Sequence, residues 1–325
     1  MNSYVLSVRI KMAGDVFGNQ VGGATYLEVP DTATVPLPSH SVGTAKQWMT
    51  KVMEIANPDN VPEHQRDIVF FVHGYDTSPE ESLKRQRLAE LKLNEHGFRC
   101  MVIGFDWPSN DKTLDYLSDR GDALDTASVL VRDGIIPFTI FSSKDCPVKV
   151  HVMAHSMGAF VVREAFRRID KLRDSDLAND WRVGQIALFA ADISSSCFAA
   201  DNADMLPVFN HCGRLTNYYS GFDLALAASN VKNIDLSSRV GRVGMPVDTP
   251  VPNKAVDVDC GPRYQAIPEP KLRILVGGFP SHSWYLEDEI WYEDLAQTLS
   301  GHTDRNYITS RHAKNGSNDF ELNTD

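Results

Sequence analysis

Nowhere in the chain do roughly 18 or more apolar residues run together, so the sequence lacks the segment a membrane-spanning helix requires. Its first 13 residues have neither an apolar h-region nor a small-residue cleavage site. They alternate instead, with Tyr4, Leu6, Val8 and Ile10 apolar, which predicts a strand, no leader, and a soluble cytoplasmic protein. Cysteine is sparse: Cys100, Cys146, Cys197, Cys212 and Cys260 are odd in number, far apart and free of C-x-x-C pairs. Neither a disulfide framework nor a zinc site is expected, and most of these thiols should be small buried hydrophobes. Basic charge is in deficit, with 32 Lys and Arg against 43 Asp and Glu and a net charge of -11. A sequence-independent grip on nucleic-acid phosphates is therefore not expected. The one basic run, Arg163, Arg167, Arg168, Lys171 and Arg173, lies toward the end of a predicted helix, where cations complement the dipole and face water.

What is present is ordinary globular material, 42% hydrophobic and 23% charged over 325 residues, a length that α/β folds reach as one unit. The expected organisation is a single domain over residues 1–301 with a polar, partly disordered tail over 302–325. From residue 68 onward short apolar runs alternate with segments of helical period, the pattern of a mostly parallel sheet covered by helices on both faces. Strands are expected at 68–72, 100–105, 148–153, 185–190, 215–220 and 272–277, most of them apolar on both faces as central parallel strands must be. Two further strands, 5–10 and 25–29, should extend one edge. Ser78, Pro79, Glu80 and Glu81 mark a helix start, with serine as the cap. Gly158, Val161, Val162, Ala165, Phe166 and Ile169 recur with helical spacing and predict a helix packed on the sheet. Trp291, Leu295 and Leu299 predict a last helix ending at Gly301. Residues 241–270, rich in Pro, Gly and Val–Asp pairs, read as a long loop draped near the site.

The chemistry concentrates in Ala154, His155, Ser156, Met157 and Gly158, at the junction of an expected strand and helix. This is the setting of a nucleophile elbow, with Ala154 in place of the first glycine of G-x-S-x-G. A tight strand-to-helix turn exposes a serine hydroxyl, tolerates only small neighbours, and aims the N–H groups of the following helix at developing negative charge. Upstream, strand 68–72 runs into His73, Gly74 and Tyr75, the loop that supplies the second oxyanion donor on this architecture. The donors are assigned to the backbone N–H groups of Met157 and Tyr75, with Gly74 allowing close approach of substrate. His73 is read as a structural residue orienting the loop, and His155 as a packed neighbour.

On this fold the acid and the histidine follow the serine in chain order at strand ends. Asp223 follows strand 215–220 and His282 follows strand 272–277, which makes Asp223 the acid and His282 the base. Asp192 competes as the acid one strand earlier, and Asp223 also reads as a helix N-cap. Trp107, Phe222 and Trp284, together with Tyr75, fall on loops at the same end and could line a substrate pocket.

The string from Phe70 to Tyr75, then Phe105, Asp106, Trp107, Pro108 and Ser109, then Ala154 to Gly158, Tyr219 to Asp223 and Arg239 to Gly244, resembles the DUF900 family of α/β-hydrolases over roughly residues 68 to 300. The resemblance implies an α/β-hydrolase fold with a Ser–Asp–His arrangement, carried onto Ser156, Asp223 and His282. It names no substrate. The N-terminal part and the 241–270 segment depart from the family's pattern.

The function expected is that of a serine hydrolase acting on small or medium carboxylic esters, with no metal or organic cofactor in its mechanism. Amidase, thioesterase or acyltransferase activity would use the same residues, and a non-catalytic binding protein on a hydrolase fold is the reading from a different class.

Overall fold

Strand-forming residues in this chain are apolar on both faces in the middle of the sequence and polar on one face near its ends. The computed structural model describes residues 1–325 apart from 59–63, 110–115, 142–147, 172–180, 233–237, 270–278 and 315–317. Its strands are β1 (Ser3–Met12), β2 (Val16–Val29), β3 (Asp67–Val72), β4 (Cys100–Asp106), β5 (Val150–His155), β6 (Val183–Phe189), β7 (Cys212–Tyr219), β8 (Ala255–Asp259), β9 (Arg311–Ala313) and β10 (Asp319–Leu322). They form one sheet in the order β2-β1-β4-β3-β5-β6-β7-β8-β10-β9. Neighbours from β1 to β10 pair in parallel. Only the two edge strands, β2 and β9, run antiparallel. The expected strand 272–277 lies outside the described residues.

Ile68, Val69, Phe70, Phe71 and Val72 of β3 are all fully buried. Successive side chains point to opposite faces of a strand, so Phe70 enters one apolar layer and Phe71 the other. The first layer is closed by the helix Met157–Lys171, whose Val161, Val162, Ala165, Phe166 and Ile169 all face the sheet. The second is closed by the helices Pro79–Glu95 and Glu289–Ser300, through Ala89 and Leu93 and through Trp291, Leu295 and Leu299. Ser78 caps the former, its Oγ accepting the Glu81 N–H at 3.1 Å. Each buried side chain of this size stabilises by about 1.5–3 kcal/mol. No helix among the described residues is long and apolar enough to cross a membrane.

Three expectations change. The 241–270 segment is not a long loop: it carries the short helix Val240–Val243, the parallel strand β8 and the helix Gly261–Ala266. The polar tail is not left loose, because β10 pairs with β8 and brings β9 with it. Phe320 and Leu322 of β10 are buried in the second apolar layer, and the Arg311 guanidinium lies 4.9 Å over the Phe320 ring. The basic run does not simply face water: Arg163 is 9% exposed, and Arg163 and Arg167 both pair with Glu164, at 2.7 and 2.9 Å. Arg173 lies outside the described residues.

Truncating a phenylalanine in a packed layer typically costs about 3–5 kcal/mol. Phe320→Ala should lower the unfolding free energy read from urea titration by an amount of that order, whereas a tail without a place in the core would leave it unchanged.

Candidate active site

At the end of β5 the chain must turn from strand into helix within one residue, and that residue is Ser156. Its φ is +54°, in the left-handed region that non-glycine residues seldom enter. Such backbone persists only where surroundings over-determine it. Here the Ser156 N–H donates to the Phe189 carbonyl at 3.1 Å, and the Ser156 carbonyl accepts from the N–H groups of Ala159 and Asp192, both at 3.1 Å. The following helix starts hard against β3. A Cβ added to Gly158 would lie 2.3 Å from the Val72 carbonyl oxygen and 2.6 Å from that of His73, so only glycine lets the helix come this close. Met157 is the first residue of that helix, where backbone N–H groups have no intrahelical partner.

The loop after β3 faces the same turn. A Cβ on Gly74 would meet Ser156 Cβ at 2.9 Å and His155 Nδ1 at 3.1 Å, which puts the Gly74–Tyr75 backbone beside the serine. Beneath this loop lies a buried polar network that was not expected. Register places Ser7 of β1 opposite Asp106 of β4, and Ser7 and Arg9, two apart, share a face. Ser7 Oγ donates to Asp106 Oδ2 at 2.9 Å and Arg9 Nε to Asp106 Oδ1 at 2.7 Å. Arg9 Nη2 goes on to the Thr77 carbonyl at 3.0 Å. Asp106 and Arg9 are both fully buried. Burial alone would raise the Asp106 carboxyl, but the Arg9 guanidinium outweighs it and the pKa comes down to about 2.

His73 has the structural place expected of it. Its ring is stacked on Trp107, with centroids 5.4 Å apart and planes 9° apart, and lies 3.6 Å from Asp106. The Trp107 N–H donates to His73 Nε2 at 3.2 Å, which leaves the proton on Nδ1 to be donated to the Gly74 carbonyl at 2.9 Å. Burial holds this imidazole below its usual range, consistent with a neutral ring. A signal was available in the sequence: Ser7 and Arg9 are polar positions in a strand whose partner ends in Asp106.

Asp223 and His282 arrive from the far side. Asp223 makes two contacts at once: Oδ1 accepts the Leu226 N–H at 2.9 Å and so caps the helix Leu224–Lys232, while Oδ2 accepts from His282 Nδ1 at 2.7 Å. The carboxylate is fully buried, and the two loops are stitched again by the Leu224 N–H to Ser281 Oγ at 3.2 Å. His155 bridges this pair to the serine, its ring 4.7 Å from that of His282. Asp192 is engaged elsewhere, its carboxylate 3.1 Å from Arg239 Nε with both groups buried. Ser156, Gly74, Met157, Asp223 and His282 are thus gathered at the same end of the sheet.

Two of the expected pocket residues are corrected. Trp107 is fully buried and donates its indole N–H to the His73 carbonyl at 2.9 Å. Trp284 is 1% exposed, stacked on Tyr285 at 4.3 Å. Both are packing groups, as large aromatics beside a site commonly are. Tyr75 is half-buried against the first core layer. Phe222 remains on the surface at 42% exposure, beside Tyr264.

A mostly parallel sheet with helices on both faces and a serine at the β5–helix corner defines an α/β-hydrolase fold. The chain belongs to DUF900, described as alpha/beta hydrolases of unknown function, which it matches over residues 51–258. An uncharacterized protein from Nostoc sp. is 28% identical over 155 residues, 40% of this chain and 39% of the relative, so the match spans well under half the length of that protein. Among solved structures, Aspergillus fumigatus lipase B gives a TM-score of 0.41 at 13% identity, over 84% of this chain and 62% of that one. The phospholipase PlaB from Legionella pneumophila gives 0.32 at 13% identity, over 77% and 65%. Both likenesses are distant.

Arg9→Met would leave Asp106 buried without its cation, a loss of about 3–5 kcal/mol. Because the folded pKa of Asp106 lies below its ordinary 3.8, the wild-type pair stabilises above pH 4 and stops doing so as pH falls toward about 2. The deficit of the variant, read by urea unfolding, should therefore shrink on acidification; a deficit constant between pH 6 and 3 would contradict the pairing. Asp223→Asn should cut turnover by roughly ten-thousandfold, the loss in the serine-protease case. Asp192→Asn should act on stability through Arg239 and spare the turnover of folded protein. The reverse result would make Asp192 the acid.

Proposed function

We propose that the protein is a serine hydrolase that cleaves carboxylic esters through an acyl-enzyme on Ser156. The observation that carries this reading is the 2.7 Å contact from His282 Nδ1 to the fully buried Asp223 carboxylate, at the sheet end where Ser156 occupies a left-handed turn. An imidazole whose Nδ1–H is committed to a carboxylate presents its other nitrogen as a base in a fixed tautomer.

In the proposed reaction Ser156 Oγ attacks the ester carbonyl as its proton passes to His282 Nε2. Asp223 stabilises the imidazolium that results. The oxyanion of the tetrahedral intermediate accepts hydrogen bonds from the Met157 and Tyr75 N–H groups, with the dipole of the helix Met157–Lys171 behind the first. His282 then returns the proton to the departing alkoxide, and a water activated by the same ring hydrolyses the acyl-enzyme. Gly74 keeps the oxyanion side free of any side chain, and Phe222, exposed and next to Asp223 in the chain, is the aromatic assigned to substrate contact. Small or medium esters fit this machinery with no partner macromolecule, and a cytoplasmic setting accords with cysteines that are free and buried among the described residues.

Ser156→Ala removes only a hydroxyl, so fold and solubility should be kept. Loss of the serine in a well-studied protease costs about a millionfold in turnover, and p-nitrophenyl ester hydrolysis by this variant should fall to background. Retention of a tenth of the wild-type rate would assign the chemistry to another nucleophile.

A further inference from the structure

His155 immediately precedes Ser156 in the chain. Its side chain is 3% exposed, and its ring touches three segments that the reaction needs held together. The first is its own strand end, which leads directly into Ser156. The second is the oxyanion loop, since the space a Gly74 side chain would take is closed by His155 Nδ1. The third is the turn Pro280–Ser283 that carries the base: His155 Nε2 lies 3.0 Å from the main-chain carbonyl oxygen of His282. Phe189 of β6 stacks beneath the imidazole at 5.0 Å and restricts its rotation.

The protonation state follows from these contacts. A carbonyl oxygen only accepts, so Nε2 must carry a proton. Burial first, and the neighbouring His282 second, hold the ring well below the usual imidazole range, so it is neutral and Nδ1 is bare. Nδ1 meets no hydrogen-bond donor among the described residues. A second proton there would be both desolvated and adjacent to the base, which itself becomes cationic in the proposed reaction.

We propose that His155 is a positioning residue: its Nε2–H, donated to the His282 carbonyl, fixes the base turn against the nucleophile elbow and so sets the approach of His282 to Ser156. The segment Pro280–Ser283 is a single helical turn of four residues, tied to the helix Leu224–Lys232 through Ser281 Oγ. The bond from His282 to Asp223 anchors its ring, and the bond from His155 anchors its backbone. Removing the His155 bond leaves the segment held through Asp223 and Ser281 but frees the His282 carbonyl, so that the ring can tilt about its contact with Asp223. Misplacing a reacting group by about 1 Å costs on the order of a hundredfold in rate.

The inference rests on the Ser156–His282 reading, and two variants of the full-length chain test it. His155→Leu keeps bulk against Phe189 but has no donor, and His155→Gln offers an amide N–H at a reach close to that of Nε2. His155→Leu should lower kcat toward esters about 10- to 100-fold with KM unchanged, and His155→Gln should restore most of the loss. A second readout needs no substrate: the low-field proton resonance of His282 Nδ1–H bonded to Asp223, assigned by its disappearance in Asp223→Asn. It should broaden or vanish in His155→Leu and persist in His155→Gln. Equal impairment of the two variants would overturn the proposal, since bulk would then be what matters, as would wild-type kcat with an intact resonance in His155→Leu. If the wild-type chain hydrolyses no ester, the functional reading fails, and the resonance alone still decides whether His155 anchors the turn.

Discussion

The close approach of the helix Met157–Lys171 to the carbonyl ends of β3 is the contact on which the rest of the site depends. With no atom at Gly158 to separate them, the first helical turn sits against the Val72 and His73 carbonyls, and Ser156 is forced through a left-handed turn to reach it. The strained residue is then held by bonds from β6 and from the Asp192 backbone. Everything placed around the serine inherits its position from this crossing. The Gly74–Tyr75 loop lies beside it because β3 is the strand being crossed, and His155 lies beneath it because β5 is the strand that ends there. A strand-to-helix junction that close requires two buried sheet faces, which the apolar runs of β3, β5 and β6 supply.

Charge is buried around this junction, and in each case described it is matched. Asp106 meets Arg9, Asp192 meets Arg239, and Asp223 meets His282 together with a helix N-terminus. Paired buried charges add little net stability over apolar replacements, but removing one partner is costly. Their contribution here is geometric. Arg9 ties the N-terminal strand to the Thr77 carbonyl behind the oxyanion loop, so a residue outside the family-matched segment 51–258 supports the backbone that the proposed chemistry uses. Asp223 does two jobs with two oxygens, and its helix-capping bond is what aims the other oxygen at His282.

How much of this was legible in the sequence follows from the kind of signal each element gives. The central strands and the covering helix announced themselves by unbroken apolar runs and by the spacing from Val161 to Ile169. The elbow was readable because Ser156 and Gly158 stand where strand period gives way to helix period. The pairing of Asp223 with His282 followed from chain order and from their positions after expected strands. β8 was missed because its sequence alternates valine with aspartate, which in a proline- and glycine-rich stretch reads as loop, although Asp257 is buried through bonds to Asn217 and to the Met245 N–H. β10 was missed because a four-residue strand next to polar residues carries too few apolar positions to stand out. The Arg9–Asp106 pair was hidden because a polar strand face reads as solvent until a partner 97 residues away is brought against it. Trp107 and Trp284 misled because aromatics at strand ends serve packing as readily as binding.

Ser156 is either an activated nucleophile or a packed turn residue, and a fluorophosphonate, which reacts covalently with an activated serine, distinguishes the two directly. Intact mass and peptide mapping of the wild-type chain after reaction should show a single phosphonyl adduct, on the peptide containing Ser156, with its rate sharply reduced in His282→Ala. No adduct, or an adduct elsewhere formed at the same rate without His282, would mean that the α/β-hydrolase fold here carries a different function.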